Sequence, residues 1–252
     1  MDTTHRTAVT AGARIGAIAL ILMMGAIRLS AFTLEPISRT FRPSGPESSR
    51  VFRVSNPSDR RIAVGLQMLS RELLPDGSEV REPVGGLFSV FPSQMILEPG
   101  SRQNVRVRWT GPQRIDREQS FRLVAEQLPV DFGDQAEQEG GSIKFVFRYL
   151  AAVYVTPPGA APEVTVRIDE RAGEPEQGLW VMVENRGTRH TILDSLALTV
   201  ADGDTLLGLF PPEELRGLSG ENLLAGSARR YFLPMETAAA GRATTVTFTL
   251  AR

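Results

Sequence analysis

From residue 32 onward, apolar and polar side chains alternate with a period of two in short stretches closed by turn-forming residues. Ile62, Val64, Leu66 and Met68 alternate, and Val105, Val107 and Trp109 do so against Arg106 and Arg108. That pattern predicts strands with one face in a core and the other in water. Further strands are predicted over 51–54, 88–91, 95–97 and 121–128. Turns divide them at Asn56-Pro57-Ser58-Asp59, Pro75-Asp76-Gly77 and Glu98-Pro99-Gly100. In such turns Asn and Asp bond their own backbone, proline presets φ, and glycine tolerates positive φ. The longest alternating run, 142–155 (SIKFVFRYLAAVYV), contains neither proline nor glycine. One of its faces carries Ile143, Phe145, Phe147, Tyr149, Ala151, Val153 and Val155. The other carries Lys144, Val146, Arg148, Leu150, Ala152 and Tyr154.

A proline-rich stretch, TPPGAAP, comes after this run and cannot extend a β-ladder far. A second series of strands is predicted beyond it, over 163–168, 179–184, 193–200, 228–233 and 244–250. Asn185-Arg186-Gly187 reads as a hairpin turn, and so does Asp202-Gly203-Asp204. The fold class is therefore all-β: two immunoglobulin-like β-sandwich domains in tandem. The expected boundaries are a signal segment at 1–31, a first sandwich at 32–156, a linker at 157–162 and a smaller second sandwich at 163–252.

The segment before the first strand has a different pattern. Arg6 and Arg14 precede an uncharged apolar run at 15–27, and the small residues Ser30 and Ala31 come next. The run is short for a bilayer-spanning helix and has the layout of a secretory signal, which predicts export to a periplasm. A retained anchor is the competing reading.

Composition removes several classes of chemistry. The 28 basic and 29 acidic side chains are intermixed, with a net charge of -1, so no nucleic-acid footprint is present. There is no cysteine, which excludes disulfides and thiolate metal sites. The one histidine beyond the signal segment is His190, with Asp194 nearby. No nucleophile elbow accompanies it, so it reads as an exposed loop residue rather than part of a triad. Neither enzymatic activity, nor a cofactor, nor a metal site is predicted.

The order and spacing of several short motifs resemble the periplasmic chaperones of the chaperone–usher pathway for pilus assembly, the PapD-like group. In the first half these are Val54-Ser55-Asn56-Pro57, Phe91-Pro92, Leu97-Glu98-Pro99-Gly100, Asp116-Arg117-Glu118 with Phe121-Arg122-Leu123, and Leu128-Pro129, ending on the long strand. In the second half they are Val183-Glu184-Asn185 with Gly187, and Arg230-Tyr231-Phe232. The resemblance implies a chaperone that stabilises pilus or fimbrial subunits by donor-strand complementation and delivers them to an outer-membrane usher. A subunit lacking its last strand exposes a groove and an unpaired edge, and a lent strand covers both. A non-enzymatic adhesion or ligand-binding module on the same sandwiches is the alternative.

The implied donor residues are Ile143, Phe145, Phe147 and Tyr149. The family also anchors the subunit's C-terminal carboxylate with two basic residues in the cleft between domains; Arg39, Lys144 and Arg148 are the candidates here. Two alignments stay open. One makes Lys144 the anchor; the other places Ala152 at that position and leaves Ile143, Phe145 and Phe147 as donors. The second suits the Val-Tyr-Val-Thr-Pro-Pro ending, which resembles the archaic branch of the family. Glu118 matches a position with an interdomain structural role, with Arg148 as its partner under the first alignment. An exposed apolar strand also leaves open a self-capping homodimer of the free protein.

Overall fold

A computed structural model describes residues 31–130, 132, 146–169 and 178–250. The first half contributes β1 (Thr33–Glu35), β2 (Ser38–Phe41), β3 (Ser49–Ser55), β4 (Ile62–Ser70), β5 (Glu72–Leu73), β6 (Glu79–Val80), β7 (Phe88–Phe91), β8 (Gln94–Leu97), β9 (Arg102–Trp109), β10 (Gln119–Leu128) and β11 (Arg148–Val155). A four-stranded sheet, ordered β1-β3-β9-β7, faces a five-stranded sheet, ordered β2-β11-β10-β4-β8. The alternation seen in the sequence explains the packing. Phe52, Val54, Val105, Val107 and Trp109 point inward from one sheet, and Val64, Leu123, Ala151, Val153 and Val155 point inward from the other. Phe88 sits edge-on to Trp109 at 5.1 Å and to Phe121 at 4.9 Å, which ties the two layers together. Each such buried side chain contributes about 1.5–3 kcal/mol.

The second half contributes β12 (Val164–Ile168), β13 (Leu179–Asn185), β14 (Thr191–Ile192), β15 (Ala197–Asp202), β16 (Thr205–Phe210), β17 (Asn222–Leu223), β18 (Ala228–Leu233) and β19 (Thr245–Thr249). They form β12-β13-β18, β16-β15-β19 and a short β14-β17 pair around Val181, Val183, Leu193, Leu198, Val200 and Leu233. The chain is thus all-β with two sandwiches, as its pattern predicts.

Two local readings change and one holds. Asn185-Arg186-Gly187 is not a hairpin, because β13 pairs with β12 and β18 while the chain after it enters β14. The strand expected over 193–200 begins only at Ala197, since Ser195 takes a left-handed φ of 49° and turns the backbone between the buried Leu193 and Leu196. The Asp202-Gly203-Asp204 turn does make a hairpin, and its second arm, β16, carries no clean alternation that would announce it.

The sandwiches meet at defined points. The β5–β6 hairpin accepts a hydrogen bond at Pro75 O from Arg230 N on β18, 2.7 Å away. Gly77, at the hairpin tip, has φ 89°, a left-handed conformation that favours glycine; a Cβ there would meet the movable tip of the Arg229 side chain. Gly187 is required on different grounds: a Cβ would strike the backbone at Ala161 O and Glu163 N of the connecting segment at 2.4 Å.

Candidate functional site

β11 is the strand around which the two sandwiches are built. Along one edge it pairs antiparallel with β10 from Arg148 to Val155. Along the other it pairs in parallel with β2, and only from Ala152 to Val155. Ala152 N donates to Ile37 O and Thr156 N to Phe41 O, so even-numbered residues direct their backbone groups toward β2. By the same alternation the N–H and C=O of Arg148 and Leu150 point outward, where no strand pairs with them among the described residues. The first half of β11 is therefore an open edge, and its second half is closed.

Side chains divide the strand in the same way. Ala151, Val153 and Val155 are fully buried in the first sandwich. Tyr149 and Phe147 continue that face but are only half-buried against the same core; Tyr149 lies edge-on to Phe32 at 4.9 Å. Ile143, Lys144 and Phe145 lie outside the described residues. On the opposite face, Ala152 and Tyr154 are buried against Leu224 of the second sandwich, with Leu73 packed alongside.

The cationic candidates separate. Arg39 is exposed and stands in register with Val153, so it lies on the face opposite Ala152 and Tyr154. Arg148 is half-exposed and is 3.7 Å from Glu126, not near Glu118. The face toward the second sandwich carries arginines that sequence reasoning missed. Arg122 is the cross-strand neighbour of Ala152 and places Nη2 2.6 Å from Glu79 Oε2. Arg71 Nε is 2.8 Å from the same oxygen, and Arg71 Nη1 donates to Tyr154 Oη at 3.1 Å. Arg81 approaches Glu79 Oε1 at 3.4 Å. Burial pushes Glu79 upward, but Arg122 and Arg71 outweigh it and hold the carboxyl below its ordinary range. Three guanidiniums share one carboxylate, which leaves this wall with an excess of positive charge. Arg122 falls inside the Phe121-Arg122-Leu123 motif; the separation of Glu79 from it in sequence concealed the pairing.

Glu118 occupies the joint between the sandwiches, with its side chain fully buried. Its amide donates to Thr188 O at 2.9 Å. Its Oε1 accepts from His190 N at 3.0 Å and lies 2.6 Å from His190 Nδ1, while Oε2 accepts from Thr156 Oγ1 at 2.6 Å. Burial favours the neutral acid. The hydrogen bonds from the His190 ring, Thr156 and the His190 amide, with the electrostatic attraction of His190, prevail and hold Glu118 below its ordinary range. His190 is thus not an exposed loop residue: its ring stacks on Tyr154 at a centroid distance of 3.9 Å. Tyr154 Oη also accepts from Asn222 Nδ2 at 2.6 Å, completing a polar network across the joint.

Residues 41–161 match the family of pili and flagellar-assembly chaperones, PapD N-terminal domain. Residues 41–161 therefore belong to the PapD N-terminal domain family. No curated protein sequence matches the chain. Among solved structures, it is similar to the class 5 fimbriae chaperone CfaA at 13% identity, covering 88% of this chain and 92% of that one, with a TM-score of 0.57. It is also similar to the CsuC–CsuE chaperone–tip adhesion subunit pre-assembly complex from archaic chaperone–usher Csu pili of Acinetobacter baumannii, at 12% identity, 81% and 91% coverage and a TM-score of 0.52. The Salmonella enterica SafA pilin complex with the SafB chaperone matches at 17% identity, 90% and 99% coverage and a TM-score of 0.51. At these identities the likeness is one of fold.

Proposed function

We propose that this chain is a periplasmic chaperone that holds pilus or fimbrial subunits by lending them the open half of β11 and the apolar alternation leading into it, then passes them to an outer-membrane usher. The observation that supports this reading is the one-sided pairing of β11. Arg148 and Leu150 present outward backbone groups that no strand pairs with among the described residues, beside a face on which Phe147 and Tyr149 are half-covered. An edge of that kind is an aggregation hazard unless a partner strand occupies it, and a partner would receive ladder hydrogen bonds plus alternate side chains in its groove. Ile143, Phe145 and Phe147 are the proposed donors, with Tyr149 divided between the partner and the chain's own core. Each fully buried apolar side chain would contribute about 1.5–3 kcal/mol, before the cost of association. Arg122 and Arg71 are the proposed cations for the subunit's C-terminal carboxylate, alongside Lys144; Arg39 lies on the opposite face and Arg148 pairs with Glu126. Residues 1–31 are the proposed cleaved export signal. PapD-like chaperones work by binding rather than by catalysis.

The test is co-expression with a pilin subunit that aggregates alone. The wild-type chain should keep it soluble and co-purify with it. Phe145→Glu should abolish capture while leaving the melting temperature of the free chaperone unchanged. Capture that survives this substitution would refute the donor-strand reading, and an unaided chain found on the cell surface would favour an adhesion module.

A further inference from the structure

The outer face of the β1-β3-β9-β7 sheet is unusually cationic for a chain whose net charge is -1. Arg102, Arg106 and Arg108 project from β9 and Arg53 from β3, all exposed. None of the four forms an ion pair among the described residues. The one carboxylate on these strands is Glu35, in register with Arg53 yet not within ion-pair distance of it. Two apolar residues flank Arg106 in the same row: the register places Val51 on one side and Phe91 on the other. They are 46% and 75% exposed, so neither is covered by the chain's own core.

We infer that this face binds an extended acidic segment of a partner protein, one whose alternate side chains are carboxylates with an apolar residue among them. Residues two apart on a strand are about 6.8 Å apart. Arg106 and Arg108 therefore have the same repeat as the alternate side chains of any extended peptide laid along β9. Guanidinium forks take carboxylates in paired hydrogen bonds and hold them more firmly than a diffuse charge cloud would. Arginine and aromatic side chains together are the composition of a protein interface core. A lipid surface would instead call for a broad apolar patch, whereas the two exposed apolar residues here, Val51 and Phe91, stand in register with Arg106 on a face that carries four exposed arginines. This face is on the sheet that does not contain β11, so the inference stands apart from the strand-donor reading.

The test measures binding of a labelled peptide in which Glu alternates with Ser and one Phe replaces a Glu, using the full chain at low salt. A peptide of identical composition with its glutamates clustered is the comparison. The alternating peptide should bind about tenfold more tightly than the clustered one. Arg106→Gln with Arg108→Gln should weaken it by about tenfold or more, and Phe91→Ser should remove the preference for the Phe-containing peptide. Arg216→Gln, an exposed arginine elsewhere, should change nothing. Equal affinity for the two peptides would overturn the inference. So would binding to phosphatidylglycerol–phosphatidylethanolamine vesicles, lost in the same double variant, with no peptide binding.

Discussion

Asn56 and Asn185 end the corresponding strands of the two sandwiches with the same device. Each is buried to 1% exposure. Each amide nitrogen donates to the carbonyl four residues on, Arg60 O or Arg189 O, and to a carbonyl on a distant loop or strand, Leu97 O or Leu223 O. Each amide oxygen accepts from the backbone two residues on, Ser58 N or Gly187 N. Beyond the asparagine the two turns part ways. The first bonds back on itself through Ser58 and runs out to the exposed Asp59 and Arg60. The second is drawn into the joint: Asn185 Oδ1 also accepts from Glu163 N, Thr188 O accepts from Glu118, and His190 reaches the Glu118 carboxylate. One local motif closes a loop in one place and couples two domains in the other, because of what packs against it.

Substitutions at the two asparagines should separate these roles most sharply. Asn56→Ala and Asn185→Ala each strand buried carbonyls, at a cost of about 3 kcal/mol in urea unfolding. Only Asn185→Ala should also open the connecting segment 157–162 to limited proteolysis; equal sensitivity in both variants would erase the distinction. Next in size is Glu118→Ala, which leaves the His190 amide and Thr156 hydroxyl without their acceptor and should cost about 2–3 kcal/mol. Its mark would be a sandwich–sandwich angle in solution scattering that spreads while both sandwiches stay folded.

The joint should also respond to pH through the same carboxylate. Glu118 sits below the ordinary 4.5 in the folded protein. Its contribution is therefore complete above that ordinary value and is lost as pH falls through the lower folded-state value. Acid titration of the unfolding midpoint should show this loss in the wild type and its absence in Glu118→Gln. The smallest effect is expected from His190→Phe, which keeps the stack on Tyr154 and removes one hydrogen bond, for about 1 kcal/mol. A larger loss would mean that the hydrogen bond from the His190 ring to Glu118, not the stack, holds the joint.

Much of the fold was legible in the residues alone. Period-two alternation placed β3, β4, β9, β10 and β13, and the asparagine, proline and glycine clusters placed the breaks between them, since both signals are local and repeat every few residues. β16 escaped because its edge position leaves Leu206 and Leu209 exposed, so apolar side chains fall on both faces. The apolar stripe of the long strand was readable, but not where its own core ends: that boundary falls at Tyr149 and Phe147, set by Phe32, which directly precedes β1 and is far away in sequence.

Sequence by itself determined that this chain is a pair of sandwiches, because alternation and turn chemistry are written within a few residues of each other; of the long alternating run at 142–155, the described strand is Arg148–Val155. Only the tertiary structure decided which charges meet. Glu118 and His190 are 72 positions apart, Tyr154 and Asn222 68, and Glu79 and Arg122 43. Such pairs depend on which strands become neighbours and which faces turn toward the second sandwich, and no local pattern records that. The same holds for β11: its apolar content is a property of the chain, but its open edge exists only because β2 stops pairing at Ala152.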